Sequence, residues 1–253
     1  MFESERARAY YRLGGMYYGQ ERYQEAIDAY EKALEIEPNS GVYCDMGVAY
    51  SRIGRYKDSI AAFNQAIAMK PDDAKLHFNL GLSCDKSGRY EEAEKAYKKA
   101  IEITPIFPLA CFNLAGVYYK LGRFQECVET CKRAIEYEPK DADMRKHLGL
   151  AYARLGRFQE AIEAYKEAVR IDPDLGGAWI ELGVTSTIIG RYEEAIKSFK
   201  EAIQIRPDHA EAHYYLGIAY LNSGKKDPAL DEYKILKALD ENLAQDLFNL
   251  ICA

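Results

Sequence analysis

The sequence predicts an all-α chain, a solenoid of stacked helix-turn-helix repeats, and three observations predict it. Proline recurs at Pro38, Pro71, Pro105, Pro139, Pro173 and Pro207, spaced by 33 residues once and by 34 thereafter. A Gly-Arg-aromatic turn stands in the middle of five repeats: Gly54-Arg55-Tyr56, Gly88-Arg89-Tyr90, Gly122-Arg123-Phe124, Gly156-Arg157-Phe158 and Gly190-Arg191-Tyr192. Small and large residues recur in helical columns on either side of that turn. A period of this length marks a supersecondary unit that buries its apolar face only against its neighbours, so the repetition sets the architecture.

Seven repeats follow in order, near residues 7–39, 40–73, 74–107, 108–141, 142–175, 176–209 and 210–243. In each, a first helix runs to the turn glycine, which accepts a left-handed C-cap at low cost. A second helix runs to the proline, which cannot continue it. The first repeat opens near Ala7 and has Glu21 where the turn glycine belongs. The second opens at Ser40 behind Asn39, one of four residues just past a proline (Asn39, Asp72, Asp174, Asp208) placed to cap the next helix. The third opens at Ala74. The fourth opens at Pro108 and carries Ala115 and Cys127 where glycine and alanine are the rule. The fifth and sixth open at Ala142 and Gly176. The seventh opens at Ala210, with Lys226 for the turn aromatic and Leu236 for the last alanine. Leu243, Leu247, Leu250 and Ile251 then share one helical face. That segment, with 244–253 as its end, is expected to cap the open apolar end of a single solenoid spanning 1–253.

The core is legible in the columns. Leu-Gly recurs at Leu80-Gly81, Leu148-Gly149, Leu182-Gly183 and Leu216-Gly217, and a tyrosine follows three residues later at Tyr17, Tyr50, Tyr118, Tyr152 and Tyr220. Glycine inside a helix costs about 1 kcal/mol against alanine, so its recurrence needs a packing reason: close approach of the paired helix. That helix offers small columns (Ala26, Ser59, Ala93, Cys127, Ala161, Ala195, Ala229) beside large ones (Tyr30, Phe63, Tyr97, Tyr165, Phe199, Tyr233), the pattern by which two helices interdigitate at short distance.

This set of residues resembles the tetratricopeptide repeat family, and Trp179-Ile180-Glu181-Leu182-Gly183 matches the opening of the family pattern. The resemblance covers residues 7–243. It implies a right-handed α-solenoid whose first helices line a concave groove along which peptides lie. It implies a non-catalytic scaffold or adaptor for protein partners.

Composition narrows the function further. The net charge of −6 argues against a general nucleic-acid binder, which favours a basic footprint. No run of 18 apolar residues exists, so no membrane insertion is expected. Met1–Arg6 has no apolar stretch of a signal peptide, and a cytoplasmic location is the expectation. No catalytic residue, metal or cofactor is expected. The six cysteines form no C-x-x-C pair; Cys127 and Cys131 share a helix face but stand in core columns. His209 and His213 are four apart, yet one falls at a helix start and the other in the column that holds Trp179.

Matching the family's inner columns assigns the groove. Basic residues gather in the first five repeats: Arg8, Arg12, Arg52, Lys75, Lys86, Lys120, Lys146 and Arg154, against Asp45, Asp85 and Asp143. The last two repeats offer an apolar strip of Ile180, Val184, Ile188, Tyr214, Ile218 and Leu221, the kind of patch that marks partner sites. The expected ligand is an extended acidic peptide. Asn79 and Asn113 would bond its backbone, Arg52, Lys86, Lys120 and Arg154 would meet its carboxylates, and Lys146 also lines the groove. Phe78, Phe112 and Tyr119 would contact its side chains. Two alternatives stand beside this: self-assembly through the aromatic first helix (Tyr10, Tyr11, Tyr17, Tyr18), and a substrate-recognition arm of a larger enzyme.

Overall fold

The turn conformation follows from the glycines. Gly54, Gly88, Gly122, Gly156, Gly190 and Gly224 have φ between 72° and 77°, and Glu21 takes the same left-handed conformation at φ 59°. The next residue then donates its N–H five residues back, as Arg55 does to the Tyr50 carbonyl at 2.9 Å and Arg157 to the Tyr152 carbonyl at 2.9 Å. This closes the first helix in a Schellman motif. The arginine of the turn is fixed twice more. Its guanidinium lies over the tyrosine of the first helix, at 4.4 Å for Arg22–Tyr17, 4.6 Å for Arg55–Tyr50, 4.8 Å for Arg123–Tyr118 and 4.5 Å for Arg157–Tyr152. It also pairs with the carboxylate three residues on, as in Arg22–Glu25, Arg55–Asp58, Arg89–Glu92, Arg157–Glu160 and Arg191–Glu194.

The computed structural model describes residues 2–252, and these form fifteen helices with no strand among the described residues. In order they are α1 (Phe2–Gly19), α2 (Tyr23–Ile36), α3 (Ser40–Arg52), α4 (Tyr56–Met69), α5 (Ala74–Lys86), α6 (Tyr90–Ile103), α7 (Pro108–Lys120), α8 (Phe124–Tyr137), α9 (Ala142–Arg154), α10 (Phe158–Ile171), α11 (Gly176–Ile188), α12 (Tyr192–Ile205), α13 (Ala210–Asn222), α14 (Lys226–Leu239) and α15 (Glu241–Cys252). They fall into two compact units that meet in sequence at Arg123 and Phe124. In the N-terminal unit α1/α2, α3/α4 and α5/α6 are antiparallel pairs, each stacked on the next, and α7 packs on α6. In the C-terminal unit α8 packs on α9, the pairs α9/α10, α11/α12 and α13/α14 stack in turn, and α15 lies against α13 and α14. The fold is the all-α stack of helix-turn-helix repeats that the period predicts.

The helix glycines have the packing reason expected of them, and the partner is a ring. A Cβ on Gly81 would stand 2.6 Å from the Tyr97 ring, on Gly149 2.4 Å from Tyr165, on Gly183 2.6 Å from Phe199, and on Gly14 2.3 Å from Tyr30. Those rings are wholly buried, at 0–1% exposure. The seventh repeat differs. Gly217 is met by Leu247 of α15, at 2.5 Å from a notional Cβ, while Tyr233 lies against Phe248 in a tilted pair with centroids 5.0 Å apart. The capping helix buries Ala244, Leu247 and Ile251, and Leu250 stands 49% exposed instead of inward.

Capping departs from expectation at three of four positions. Asn39 does cap α3, accepting from the N–H groups of Gly41 (2.8 Å) and Val42 (3.3 Å). Asp72, Asp174 and Asp208 fall one residue short, because in the 34-residue repeats the N-cap is the second residue after proline. That residue is Asp73 for α5, Asp141 for α9, Leu175 for α11 and His209 for α13, and only the two aspartates accept a bond. The first repeat is one residue shorter, and only there does the residue next to proline serve.

Two stability changes are expected in urea unfolding. Glu21→Gly relieves a side chain held in the left-handed region and raises stability by about 1 kcal/mol. Gly149→Ala drives a methyl into Tyr165 and lowers it by about 1–3 kcal/mol, whereas Gly15→Ala, with nothing within 4 Å of its Cβ, raises it by about 0.5–1 kcal/mol.

Candidate functional site

The assigned groove residues divide between the two units. Arg52, Phe78, Asn79, Lys86, Phe112, Asn113, Tyr119 and Lys120 belong to the N-terminal unit; Lys146, Arg154, Ile180, Val184, Tyr214 and Ile218 belong to the C-terminal one.

In the N-terminal unit, α3 and α5 frame a pocket of about 270 Å³ lined by Val48, Ser51, Arg52, Phe63, Asn79, Leu82, Ser83 and Lys86. Three residues expected to act together, Arg52, Asn79 and Lys86, therefore share one concavity. Arg52 and Lys86 stand at the C-terminal ends of α3 and α5, where cations complement the helix dipoles. Arg52 donates from Nε to the Tyr18 hydroxyl at 3.2 Å, which uses one of its five N–H groups. Lys86 forms no ion pair among the described residues. Nearby, burial and the neighbouring Asp45 push the Cys44 thiol above the usual thiol range, with the Asn79 amide opposing that rise.

Sequence columns missed Phe63 and Ser83. Phe63 comes from the second helix, and its ring reaches the pocket because Gly47 leaves room for it, at 3.0 Å from a notional Cβ. Ser83 donates to the Asn79 carbonyl at 3.1 Å, and its oxygen lies 2.9 Å from that of Ser59, which in turn bonds the Gly47 carbonyl at 2.7 Å. The one signal for this buried polar pair was the change from alanine to Ser59 in a small-residue column.

Of the other groove cations in this unit, Arg8, Arg12 and Lys75 form no ion pair among the described residues, whereas Lys120 is engaged. Lys120 pairs with Asp85 at 2.6 Å and lies 5.3 Å from the Tyr90 centroid. Asp45 accepts from the Tyr11 hydroxyl at 2.7 Å, and burial together with that bond raises the phenol to about 12. Asn113 turns its amide onto its own helix, donating to the Leu109 carbonyl at 2.7 Å. Phe78 is half-buried, its ring 5.8 Å from Tyr97 and 5.0 Å from Phe107. Phe112 and Tyr119 are half-buried on α7. Tyr10, Tyr11, Tyr17 and Tyr18 pack into the unit's own core.

In the C-terminal unit Lys146 pairs with Asp143 at 2.6 Å. Burial raises the Glu181 carboxyl, with Arg154 and Lys146 opposing that rise. Ile180, Val184, Tyr214 and Ile218 are half-buried against the core that α15 completes, and of the expected strip only Ile188 is fully exposed, at 59%. His213 is a core residue: Nδ1 lies 2.6 Å from Glu232 Oε2 and Nε2 2.9 Å from the Pro207 carbonyl. Trp179 bonds the Pro173 carbonyl in the same way, at 2.9 Å. Cys127 and Cys131 are buried thiols rather than a disulfide, and a hydrogen bond from Cys131 holds Cys127 below the usual thiol range against the effect of burial. No described helix is long and apolar enough to cross a membrane.

The stacked pairs and the concave pocket define a helical-repeat protein of the class that mediates protein–protein interaction. A family model described as the cilia and flagella-associated protein 70 C-terminal domain matches residues 2–178, and tetratricopeptide repeat models match 187–224 and 211–242. The chain belongs to this family of tetratricopeptide repeat proteins. No curated protein sequence matches it. Among solved structures, the C-terminal part of a TPR repeat-containing protein from Cytophaga hutchinsonii has TM-score 0.78 at 18% identity, covering 94% of this chain and 98% of that one. YrrB, a TPR protein with an unusual peptide-binding site, has TM-score 0.62 at 24% identity over 74% and 96%. MamA has TM-score 0.63 at 24% identity over 68% and 94%. Likeness at these identities establishes the fold.

Proposed function

We propose that the chain is a non-catalytic scaffold that holds an extended acidic segment of a protein partner against α3 and α5. The observation that carries this reading is the pocket that joins Arg52 and Lys86 to the Asn79 amide over an apolar floor of Val48, Phe63 and Leu82. The two cations suit carboxylates. The amide supplies the donor and acceptor that an extended backbone needs, and the floor suits an aliphatic side chain between the charges. Phe78, Phe112, Asn113, Tyr119 and Lys120 extend the same unit's surface along α5 and α7. Lys146, Arg154, Ile180, Val184, Tyr214 and Ile218 offer a second face on the C-terminal unit, with its charge offset by Glu181. YrrB is a fold relative with a peptide-binding site, which supports a peptide as the ligand class.

Fluorescence anisotropy with a labelled poly-glutamate peptide of about ten residues tests this. Each cation lost removes a charge-assisted bond of about 1.5–3 kcal/mol, so Arg52→Glu with Lys86→Glu is expected to weaken binding by at least about tenfold. Lys120→Ala is expected to change it far less, because Asp85 already neutralises that ammonium. Unchanged affinity in the double variant contradicts the assignment.

A further inference from the structure

One column of the first helices aims a donor at the proline that ends the preceding repeat. Trp179 donates from Nε1 to the Pro173 carbonyl at 2.9 Å, and His77 Nε2 lies 2.8 Å from the Pro71 carbonyl. His213 makes the same contact, Nε2 to the Pro207 carbonyl at 2.9 Å. A carbonyl oxygen only accepts, so Nε2 of His213 carries a proton, as the indole of Trp179 does.

The other ring nitrogen meets a carboxylate. Nδ1 of His213 lies 2.6 Å from Glu232 Oε2 on α14, with the two side chains 6% and 13% exposed. Glu232 breaks its column, which holds Ala62, Ala96, Thr130, Ala164 and Ser198 in the earlier repeats. Neutral imidazole has one N–H, and His213 uses it on Pro207. A bare Nδ1 facing an ionised carboxylate at this distance would set two acceptors against each other. A second proton therefore lies between them, on the ring as an imidazolium or on Glu232 as a carboxylic acid. Burial pushes the Glu232 carboxyl up, His213 and Lys200 of α12 oppose that rise, and Asp231 adds to it. On the other packed helices, Asp246 of α15 acts on Tyr214, and Glu181 of α11 faces Arg154 and Lys146.

We propose that the His213–Glu232 pair is a proton latch between α13 and α14, which holds the seventh repeat closed near neutral pH and loosens it as the pH rises. In the unfolded chain histidine loses its charge near pH 6.5 and glutamate is ionised above about 4.3. Above about pH 6.5 the unfolded pair thus keeps one proton, and the folded pair keeps two. Closing the repeat takes up a proton, so its stability falls with rising pH until the folded pair itself gives the proton up. His209, at the start of α13, works in the opposite sense. Burial and then Arg206 hold its ring below the usual range, an effect that is over by about pH 7.5 because the unfolded ring is then neutral too. The core behind the latch, with Leu216, Leu236 and Leu247, is the one that α15 completes.

Hydrogen-exchange mass spectrometry of the full chain, with rates corrected for intrinsic exchange, tests it. From pH 7 to 8.5 the opening constant of α13 and α14, relative to that of α9–α12, is expected to rise by at least about threefold, and by no more than about tenfold per pH unit, the limit for one proton. Glu232→Gln is expected to flatten this dependence, because its amide donates to a bare Nδ1 and needs no added proton. A flat ratio in the parent, or the same slope in the variant, overturns the latch. Ring 15N and Glu232 carboxyl 13C shifts of the parent at pH 7 read the proton directly. Two protonated ring nitrogens, or a protonated carboxyl beside a neutral ring, is the expected result. A bare Nδ1 beside an ionised Glu232 overturns the latch however the variant folds.

Discussion

The contact of a second-helix ring with a first-helix glycine is the constraint on which the rest depends. With a Cβ placed 2.3–3.0 Å from ring carbons in five repeats, no larger residue fits there without moving the ring or the helix. The glycine therefore fixes how closely the paired helices lie, and close-packed interiors resist any change of that spacing. The same contact builds the site. Phe63 covers Gly47 and reaches through to floor the α3–α5 pocket, and Tyr97 covers Gly81 and supports Phe78. A packing device and a binding surface thus share side chains. The seventh repeat shows the rule by exception, since Leu247 of α15 takes the ring's place over Gly217.

Electrostatics then select within that frame. Exposed ion pairs contribute about 0–1 kcal/mol each, so pairs such as Lys120–Asp85 and Lys146–Asp143 matter less for stability than for the field they cancel. They leave Arg52 and Lys86, which line one pocket, without a neutralising carboxylate among the described residues. The turn arginines serve differently. Paired with a nearby carboxylate, and in Arg22, Arg55, Arg123 and Arg157 also stacked on tyrosine, they lock each repeat's turn, and their charge is used within the fold.

Much of this was legible in the sequence, for physical reasons that differ by element. The period, the turn glycines and the odd Glu21 are local backbone requirements, and local requirements appear directly in the residues. The helix glycines were legible as a cost needing a reason, although the reason, a ring over the glycine face, emerged only from the helix pairing. The caps at Asp72, Asp174 and Asp208 were misread because the loop after proline is one residue longer in the later repeats. Leu250 was placed inward because four apolar residues were fitted to one face, when Ala244, Leu247 and Ile251 suffice to cover α13 and α14. In the candidate site, Arg52, Asn79 and Lys86 were found by column. Phe63 was not, because it enters from the other helix. The neutralisation of Lys120 was also hidden, since its partner Asp85 lies 35 residues away and a charge count treats the two as independent.

The most direct test of recognition on α3 and α5 is zero-length carbodiimide cross-linking of the chain to the poly-glutamate peptide, with the adducts mapped by mass spectrometry. A carboxylate held in the pocket lies against the Lys86 ammonium, so the dominant adduct is expected at Lys86, with Lys120 a minor one. Adducts spread evenly over the outer lysines such as Lys57, Lys95 and Lys98, with none at Lys86, contradict it.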